Sequence, residues 1–343
     1  MVPKYQLGSF SIAGSPEFPG LVLKGKVLAL TALEDLCAGL GKPLSSGASL
    51  LPVLASWDQN CAALDAAAAA LSEMGDSAVR ALVSLAVPLE QLKTHAPVRP
   101  RQIFCSGANY RKHVVDLIVD GAKARNPDQP LAEVRSQAEK VMDQRAASGK
   151  PFVFTALPSA VIGPYDTFVI PYDVKQPDWE LELAAIIGRP ARRVSRQNAL
   201  DYVAGYTIAN DITARELIPR PDAGGLGMDW LAAKSSPGFI PLGPYLTPKQ
   251  FVSDPQRLQV TLKLNGDTMQ DESTADMIYP LAAIIEHISR HVQLWPGDIV
   301  LTGSPSGNGT HYNRFIRDGD VLEGEITGLG MQRTPCVTEA APQ

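Results

Sequence analysis

The stretch DWELEL at residues 178–183 alternates acidic with apolar residues and continues into the apolar run AAII at 184–187. In an extended strand successive side chains point to opposite faces, so Asp178, Glu180 and Glu182 would share one face. The run that follows is typical of a buried strand, so at least two of these carboxylates would lie at the edge of a core and need a partner. Converging carboxylate oxygens suit a hard divalent ion. A strand whose acidic face is simply in water explains the same alternation.

Length and charge narrow the class of protein. The chain has 343 residues, of which 45% are hydrophobic and 20% charged, which allows two domains or one large one. Its net charge is -5 with no Lys/Arg block, so we expect neither a nucleic acid nor a membrane as a partner.

The four cysteines form no CxxC pair, which argues against a zinc site or a disulfide scaffold. The N-terminus has no apolar signal region and no window approaches a membrane span of ~20 apolar residues. We therefore expect a cytoplasmic protein.

The first hundred residues read as a separate unit. Short apolar runs between glycines and prolines at 5–30 predict a small β unit, and residues 56–74 predict a helix that stops at Gly75. The segment APVRPR at 96–101 reads as a linker, because two prolines in four residues resist both helix and sheet. We place a small N-terminal β/α domain at 1–97 and a catalytic domain at 98–343.

Residues 103–116 predict a strand, a glycine turn and the start of a helix. On that helix His113 and Asp116 are three residues apart and therefore neighbours, so the carboxylate could orient the imidazole as a general base. A surface His–Asp pair would give the same spacing. The polar, helix-prone segment 122–150 that follows reads as a lid or a decoration.

Two later residues interrupt their surroundings. Asp211 lies near the end of an otherwise apolar strand, where it could be a third metal ligand or form an Asx turn. Lys234 precedes a Pro-Gly turn, where a lysine is usually solvated.

His287 and His291 are spaced four apart, but they lack the glutamate of an HExxH motif and lie off the apolar stripe of their helix. The glycine-rich segment 302–309 could bind a carboxylate through backbone N–H groups.

Together these blocks resemble the fumarylacetoacetate hydrolase superfamily over about residues 98–332. The resemblance is carried, in that family's order, by GANYRKH at 107–113, DWELELAAIIG at 178–188, GYTIANDITAR at 205–215, PLGP at 241–244, MQD at 269–271, PGD at 296–298 and TGSP at 302–305. It implies an α+β, mostly β fold, a rolled mixed β-sheet barrel with outer helices. It also implies a homodimer, with the leading β unit similar to the small N-terminal domain that some members carry.

The resemblance also implies roles for individual residues. The metal ligands are Glu180, Glu182 and Asp211, which would hold Mg²⁺ or Mn²⁺, with Ca²⁺ possible. The catalytic residues are His113, Asp116 and Lys234. The substrate-binding residues are Tyr110, Arg215, Thr302, Gly303 and Ser304.

The activity implied is metal-dependent hydrolysis of a C–C bond in a 1,3-diketone or acylpyruvate, with water activated by His113 and Asp116 and the enolate stabilised by the metal and Lys234. The partner would be a small oxo acid or diketone. A decarboxylase, isomerase or hydratase of a 2-oxo acid would use the same residues, and a non-catalytic member is a third interpretation.

The chain departs from the family pattern at Thr155, Ile218 and the Pro237-Gly238 turn, where many members carry polar or charged residues. These departures predict a pocket with less charge, and a substrate larger or more apolar than a small dicarboxylate.

Overall fold

The computed structural model describes residues 2–73, 77–126 and 128–342. The strands of the described residues are β1 (Gln6–Ser11), β2 (Phe18–Leu23), β3 (Lys26–Ala29), β4 (Val87–Pro88), β5 (Lys93–His95), β6 (Ile103–Gly107), β7 (Phe152–Ala156), β8 (Val161–Ile162), β9 (Phe168–Ile170), β10 (Pro177–Asp178), β11 (Leu181–Ile187), β12 (Val203–Asn210), β13 (Thr213–Ala214), β14 (Ile240–Pro241), β15 (Thr247–Pro248), β16 (Gln259–Leu264), β17 (Asp267–Ser273), β18 (Ile299–Leu301), β19 (Val321–Ile326) and β20 (Gly330–Thr338). The α-helices are α1 (Glu34–Gly39), α2 (Leu50–Ala55), α3 (Trp57–Glu73), α4 (Ser77–Ser84), α5 (Arg111–Arg125), α6 (Leu131–Ser148), α7 (Trp230–Lys234), α8 (Leu281–His291) and α9 (Gly309–Tyr312).

The N-terminal residues form a five-stranded antiparallel sheet in the order β4-β3-β2-β1-β5. The predicted β unit is therefore present, and α3 follows it where a helix was predicted, although Met74 and Gly75 lie outside the described residues. Backbone hydrogen bonds in both directions join Leu7 to Leu246, and one apolar core runs from this unit into the rest of the chain. A domain boundary at residue 97 stays a prediction.

Two mixed sheets, of six and five strands, form the rest of the main sheet structure. One has the order β15-β12-β11-β18-β6-β7 and the other β17-β16-β19-β20-β9, each with one parallel pair. The side chain of Trp179 is fully buried, and its indole N–H donates to the carbonyl of Gly307 at 3.0 Å. Helix α8 buries the apolar stripe that the sequence predicted. The expected mixed fold of strands with packed helices is confirmed.

The register of β11 and β12 positions the acidic residues. The two strands are antiparallel, with Leu181 opposite Asn210, so the start of β11 lies beside the end of β12. Every residue of both strands is buried. Side chains that leave this edge are held on rigid backbone, since the amide of Asp211 donates to the carbonyl of Glu180 at 2.9 Å.

The predicted polar insertion is a helix, α6, which packs against α5. Arg111 of α5 is paired with Asp143 of α6 at 2.8 Å, and Arg135 of α6 with Asp116 of α5 at 2.9 Å. Few residues of α6 are fully buried. Its contact with α5 therefore includes these charge pairs and only a narrow apolar face.

A substitution at Gly307 would test how closely the loop that follows β18 packs against Met269. The φ of Gly307 is +101°, and a Cβ there would lie 1.9 Å from the carbonyl oxygen of Met269. We expect Gly307→Ala to lower the free energy of unfolding by about 2–4 kcal/mol, from overpacking plus positive-φ strain.

The matched control is Gly121→Ala in α5, where a Cβ meets nothing within 4 Å. This change should raise the stability by about 0.5–1 kcal/mol through helix propensity. Denaturant unfolding of both variants measures the difference, and equal stabilities would contradict the close approach of Gly307 to Met269.

Candidate active site

Three carboxylates converge where β11 starts and β12 ends. Glu180 precedes β11, Glu182 lies within it and Asp211 follows β12. All three are buried, and each offers an oxygen that lies within 4.8 Å of the others. The alternating acidic strand and the interrupted apolar strand thus come together, which is the arrangement that the metal interpretation requires.

Asp178 does not join them. The backbone leaves strand geometry at residues 179–180, and the Asp178 carboxylate instead accepts hydrogen bonds from the amides of Gly309 and Thr310 and from Arg215. Because Arg215 also bonds Glu180, Asp178 lies beside Glu180, but its carboxylate is engaged by these amides and is not one of the three that converge.

Lys234 is buried rather than solvated. Its ammonium group donates to Glu180 at 2.7 Å, to the Asp211 carboxylate at 2.6 Å and to the Asp211 carbonyl at 3.0 Å. Lys234 ends the short helix α7, whose N-cap is the side chain of Asp229. The cap fixes the helix, and the helix delivers the lysine to the carboxylates.

Arg215 is the second cation of the cluster. Its Nε donates to Asp178 at 2.8 Å and its Nη2 to Glu180 at 2.6 Å. Within the described residues its Nη1 has no protein acceptor. The two N–H groups of Nη1 therefore remain for a bound anion, as a substrate-binding role for Arg215 would need.

The site holds more negative than positive charge. Four carboxylates, of Asp178, Glu180, Glu182 and Asp211, face the two cations of Arg215 and Lys234, which leaves two negative charges unbalanced if all are ionised. A divalent cation would balance them.

The pKa values follow this imbalance. Burial raises the pKa of Glu182 well above its usual range, with Asp211 and Glu180 adding to it. Burial also raises the pKa of Asp211 to about 6, although Lys234 opposes it. Burial works in the same direction on Glu180, but Arg215 and Lys234 outweigh it and hold its pKa below the usual range.

The donor set fits a hard divalent ion. It consists of carboxylate oxygens, and Oδ1 of buried Asp211 has no hydrogen-bond partner in the structure. Such an oxygen is costly to bury unless it coordinates something. The residues present therefore suit Mg²⁺ or Mn²⁺ better than a soft ion, and the choice between them, or Ca²⁺, belongs to experiment.

His113 and Asp116 both lie in α5, but they are not joined. His113 lines the cavity beside the carboxylates and is buried, which lowers the pKa of its imidazole and favours the neutral form. Asp116 accepts from Arg135 at 2.9 Å and from the hydroxyl of Ser306 at 3.1 Å. In the described part of the chain no hydrogen bond joins the two, so the expected dyad is not formed in this geometry.

The loop at 302–304 is largely engaged by the protein itself. The amide and hydroxyl of Thr302 donate to the carbonyl of Leu183, and the amide of Gly303 donates to Glu182 at 2.6 Å. These two amides orient β11 and a metal ligand instead of a substrate carboxylate. Ser304 lines the cavity, and its hydroxyl accepts from Gln270 at 2.8 Å.

Tyr110 is behind the cavity wall rather than on it. Its side chain is fully buried, and its hydroxyl makes no hydrogen bond to any residue that the structure describes. Burial raises the pKa of its hydroxyl well above the usual range. In this geometry Tyr110 therefore supports the wall and does not reach a substrate in the cavity.

The cavity has a volume of about 180 Å³. Its lining residues are Ser106, Gly107, Ala108, His113, Leu117, Phe154, Glu180, Glu182, Asp211, Arg215, Trp230, Lys234 and Ser304. Thr155, Ile218 and Pro237 are not among them, so these departures from the family pattern do not themselves change the cavity wall.

Sequence reasoning missed Ser106, Phe154 and Trp230 as site residues. Phe154 is the neighbour of Thr155, where the chain departs from the family pattern, and Trp230 lies four residues before Lys234, one helical turn away. The helix spacing could have indicated Trp230. Nothing local marks Ser106, whose role depends on the pairing of β6 with β7 and β18.

Glu182→Gln tests the metal assignment. The amide oxygen can still accept from Gly303, but the charge is lost, so Mn²⁺ binding should weaken by at least about tenfold because ligand charge tunes affinity for hard cations. Titration followed by electron paramagnetic resonance of free Mn²⁺ measures it, and Glu133→Gln on the exposed surface of α6 is the control. Unchanged Mn²⁺ affinity in Glu182→Gln would refute the assignment.

Comparison with known proteins identifies the family to which the chain belongs. Residues 102–337 match the family model described as fumarylacetoacetate (FAA) hydrolase C-terminal. A mitochondrial oxaloacetate tautomerase of Bos taurus is 33% identical over 248 residues, covering 71% of this chain and 69% of that protein.

Two solved structures are also similar. A fumarylacetoacetate hydrolase from the psychrophilic Exiguobacterium antarcticum has a TM-score of 0.70 at 27% identity and covers 98% of this chain and 100% of that one. A 5-carboxymethyl-2-hydroxymuconate delta-isomerase from Mycobacterium smegmatis has a TM-score of 0.59 at 28% identity and covers 75% and 86%.

The relatives carry names of different reactions, so they leave the hydrolase assignment open. The mitochondrial name of the Bos taurus relative does not support the expected cytoplasmic location. No helix among the described residues is long and apolar enough to span a membrane. The homodimer stays a prediction. With its matched region spanning most of the chain and its carboxylate cluster intact, the protein belongs to the fumarylacetoacetate hydrolase family.

Proposed function

We propose that this chain is a divalent-metal-dependent enzyme that interconverts the keto and enol forms of a 2-oxo acid. The observation that carries the proposal is the separation of His113 from Asp116. His113 lines the cavity beside the carboxylate cluster, and burial lowers the pKa of its imidazole, which favours the neutral form. The carboxylate that would strengthen it as a base for water is held by Arg135 and Ser306.

Tautomerisation requires a weaker general base than hydrolysis does. When bound, the divalent ion would act as a Lewis acid on the carbonyl oxygen and make the neighbouring C–H more acidic. A neutral His113 can then accept the proton from C3 and, as imidazolium, return it to the oxygen of C2. One C–H bond breaks and one O–H bond forms, so no atom is gained or lost and no water is consumed.

Other residues would position the substrate. Arg215 offers its Nη1 to the carboxylate of the oxo acid, while its other nitrogens hold Glu180 and Asp178 in place. Lys234 contributes positive charge beside the region where enolate charge develops. The similarity to a tautomerase at 33% identity over most of both chains supports this choice of reaction.

Hydrolysis of an acylpyruvate is the second candidate. It is favoured by the full-length similarity to a fumarylacetoacetate hydrolase and by the position of Asp116, one helical turn from His113. If Arg135 and Ser306 released Asp116, the dyad could form and activate water. Attack on the carbonyl would then break the C–C bond and release an enolate and a carboxylic acid.

Two substitutions separate the candidates. Under the proposal, His113→Asn lowers kcat for oxaloacetate tautomerisation by about 100-fold or more, the usual contribution of a general base. Asp116→Asn changes it by less than about threefold, because Asp116 makes no hydrogen bond to the base in this geometry. The decay of enol absorbance, measured with Mg²⁺, with Mn²⁺ and with EDTA, reports both rates.

The products decide the outcome. Proton NMR of an acylpyruvate incubated with the enzyme and Mn²⁺ distinguishes pyruvate plus a free acid from unchanged substrate. Metal-dependent cleavage that both substitutions abolish, with no acceleration of tautomerisation, would replace the proposal by the hydrolase. Pyruvate and CO₂ from oxaloacetate would indicate a decarboxylase instead.

A further inference from the structure

An aromatic wall faces the same cavity as the carboxylate cluster. The rings of Phe154 and Trp230 are stacked, with centroids 4.7 Å apart and planes 17° from parallel, and both line the cavity with Leu117. Phe152 lies 5.7 Å from Trp230 and is 44% exposed, so the aromatic surface continues from the cavity to the outside of the molecule. We call Phe154 and Trp230 the aromatic wall.

The cations of the cavity are already engaged. Lys234 makes three hydrogen bonds, which uses every donor of its ammonium group. Arg215 keeps one nitrogen without a protein acceptor among the described residues, and burial favours the neutral form of His113 by lowering its pKa. Among the described lining residues, the guanidinium of Arg215 is therefore the one cationic group that keeps free N–H donors, enough for one carboxylate.

With a divalent ion bound the cluster is balanced, so the first carboxylate of a substrate leaves one excess negative charge, and a second carboxylate would add to it. The second carboxylate would have to give up its hydration against aromatic rings and Leu117 without a cation to receive it. An apolar tail meets the opposite situation, because burial against stacked rings is favourable and planar groups gain further from aromatic packing.

The polar end of the cavity has room for a head group. The hydroxyl of Ser106 is buried without a hydrogen-bond partner, and it lines the cavity together with Ser304 and the carboxylates. A buried hydroxyl in this state is available to an oxo or carboxylate oxygen. The cavity thus has a polar end for the oxo-acid head and an apolar wall for what is attached to it.

We propose that the cavity selects 2-oxo acids that carry one carboxylate and an apolar, planar tail, with the tail packed on the aromatic wall of Phe154 and Trp230. The proposal rests on the proposed function for the identity of the head group and goes beyond it by specifying the tail. It makes Trp230 and Phe154 residues that determine specificity.

Two stable ligands with the same head test the tail alone. N-phenyloxamate carries a phenyl tail and N-oxalylglycine a carboxylate tail, and neither is turned over. In isothermal titration with Mg²⁺ present, we expect N-phenyloxamate to bind at least about tenfold more tightly, a difference of about 1.4 kcal/mol.

Trp230→Ala should remove this preference by weakening N-phenyloxamate at least about tenfold and leaving N-oxalylglycine within about twofold, because only the phenyl tail contacts the wall. The matched control is Leu231→Ala, on the same helix but 63% exposed and outside the cavity lining, which should change neither affinity. Thermal melting checks that both variants are folded.

Two results overturn the proposal. One is N-oxalylglycine binding as tightly as N-phenyloxamate, or neither ligand binding. The other is equal weakening of both ligands by Trp230→Ala, since this would mean that Trp230 only supports Lys234 through α7. Phe154→Ala gives the same test from β7 instead of α7.

Assays with phenylpyruvate and oxaloacetate separate this proposal from the proposed function. Metal-dependent tautomerisation of oxaloacetate with no preference for the phenyl ligand would support the proposed function and refute the proposed selection of an apolar tail. A phenyl preference that Trp230→Ala abolishes, without tautomerisation of either acid, would support the proposed tail and refute the proposed function.

Discussion

The site depends on the hydrogen bonds of Lys234 to Glu180 and Asp211. Three carboxylates buried within a few ångströms of each other would repel strongly in a medium of low dielectric constant. Lys234 joins the start of β11 to the end of β12 and Arg215 joins Glu180 to Asp178, so the two cations hold together a cluster that would otherwise protonate. The remaining excess of negative charge would give the cluster affinity for a divalent ion.

Part of this site could be predicted because its signal is local. The alternation around Glu180 and Glu182 and the acid that interrupts an apolar strand at Asp211 are visible in the sequence, and antiparallel pairing of β11 with β12 brings them together. The fold was predictable from the order of seven short blocks. The leading β unit and the helical stripe of α8 followed from simple periodicity.

The remainder could not be predicted because it depends on long-range partners. Asp178 has the same local pattern as Glu180, yet it faces α9, whose amides lie 131 residues later in the chain. Asp116 has the spacing of a dyad partner, but Arg135 from a second helix competes for it. The aromatic wall forms only because α7 packs against β7, and no residue spacing in the sequence predicts that contact.

The competition for Asp116 suggests how one scaffold can support different reactions. The three carboxylates that could hold a metal are fixed by paired strands, whereas Asp116 and His113 lie on a helix that is tied to α6 by exposed charge pairs. Such pairs are each worth little, so a small change in α6 can shift Asp116 toward or away from the imidazole. The enolate chemistry would then stay constant while the strength of the base varies. On this argument, the reaction of this chain would depend less on its carboxylate cluster than on the groups that hold Asp116 away from His113.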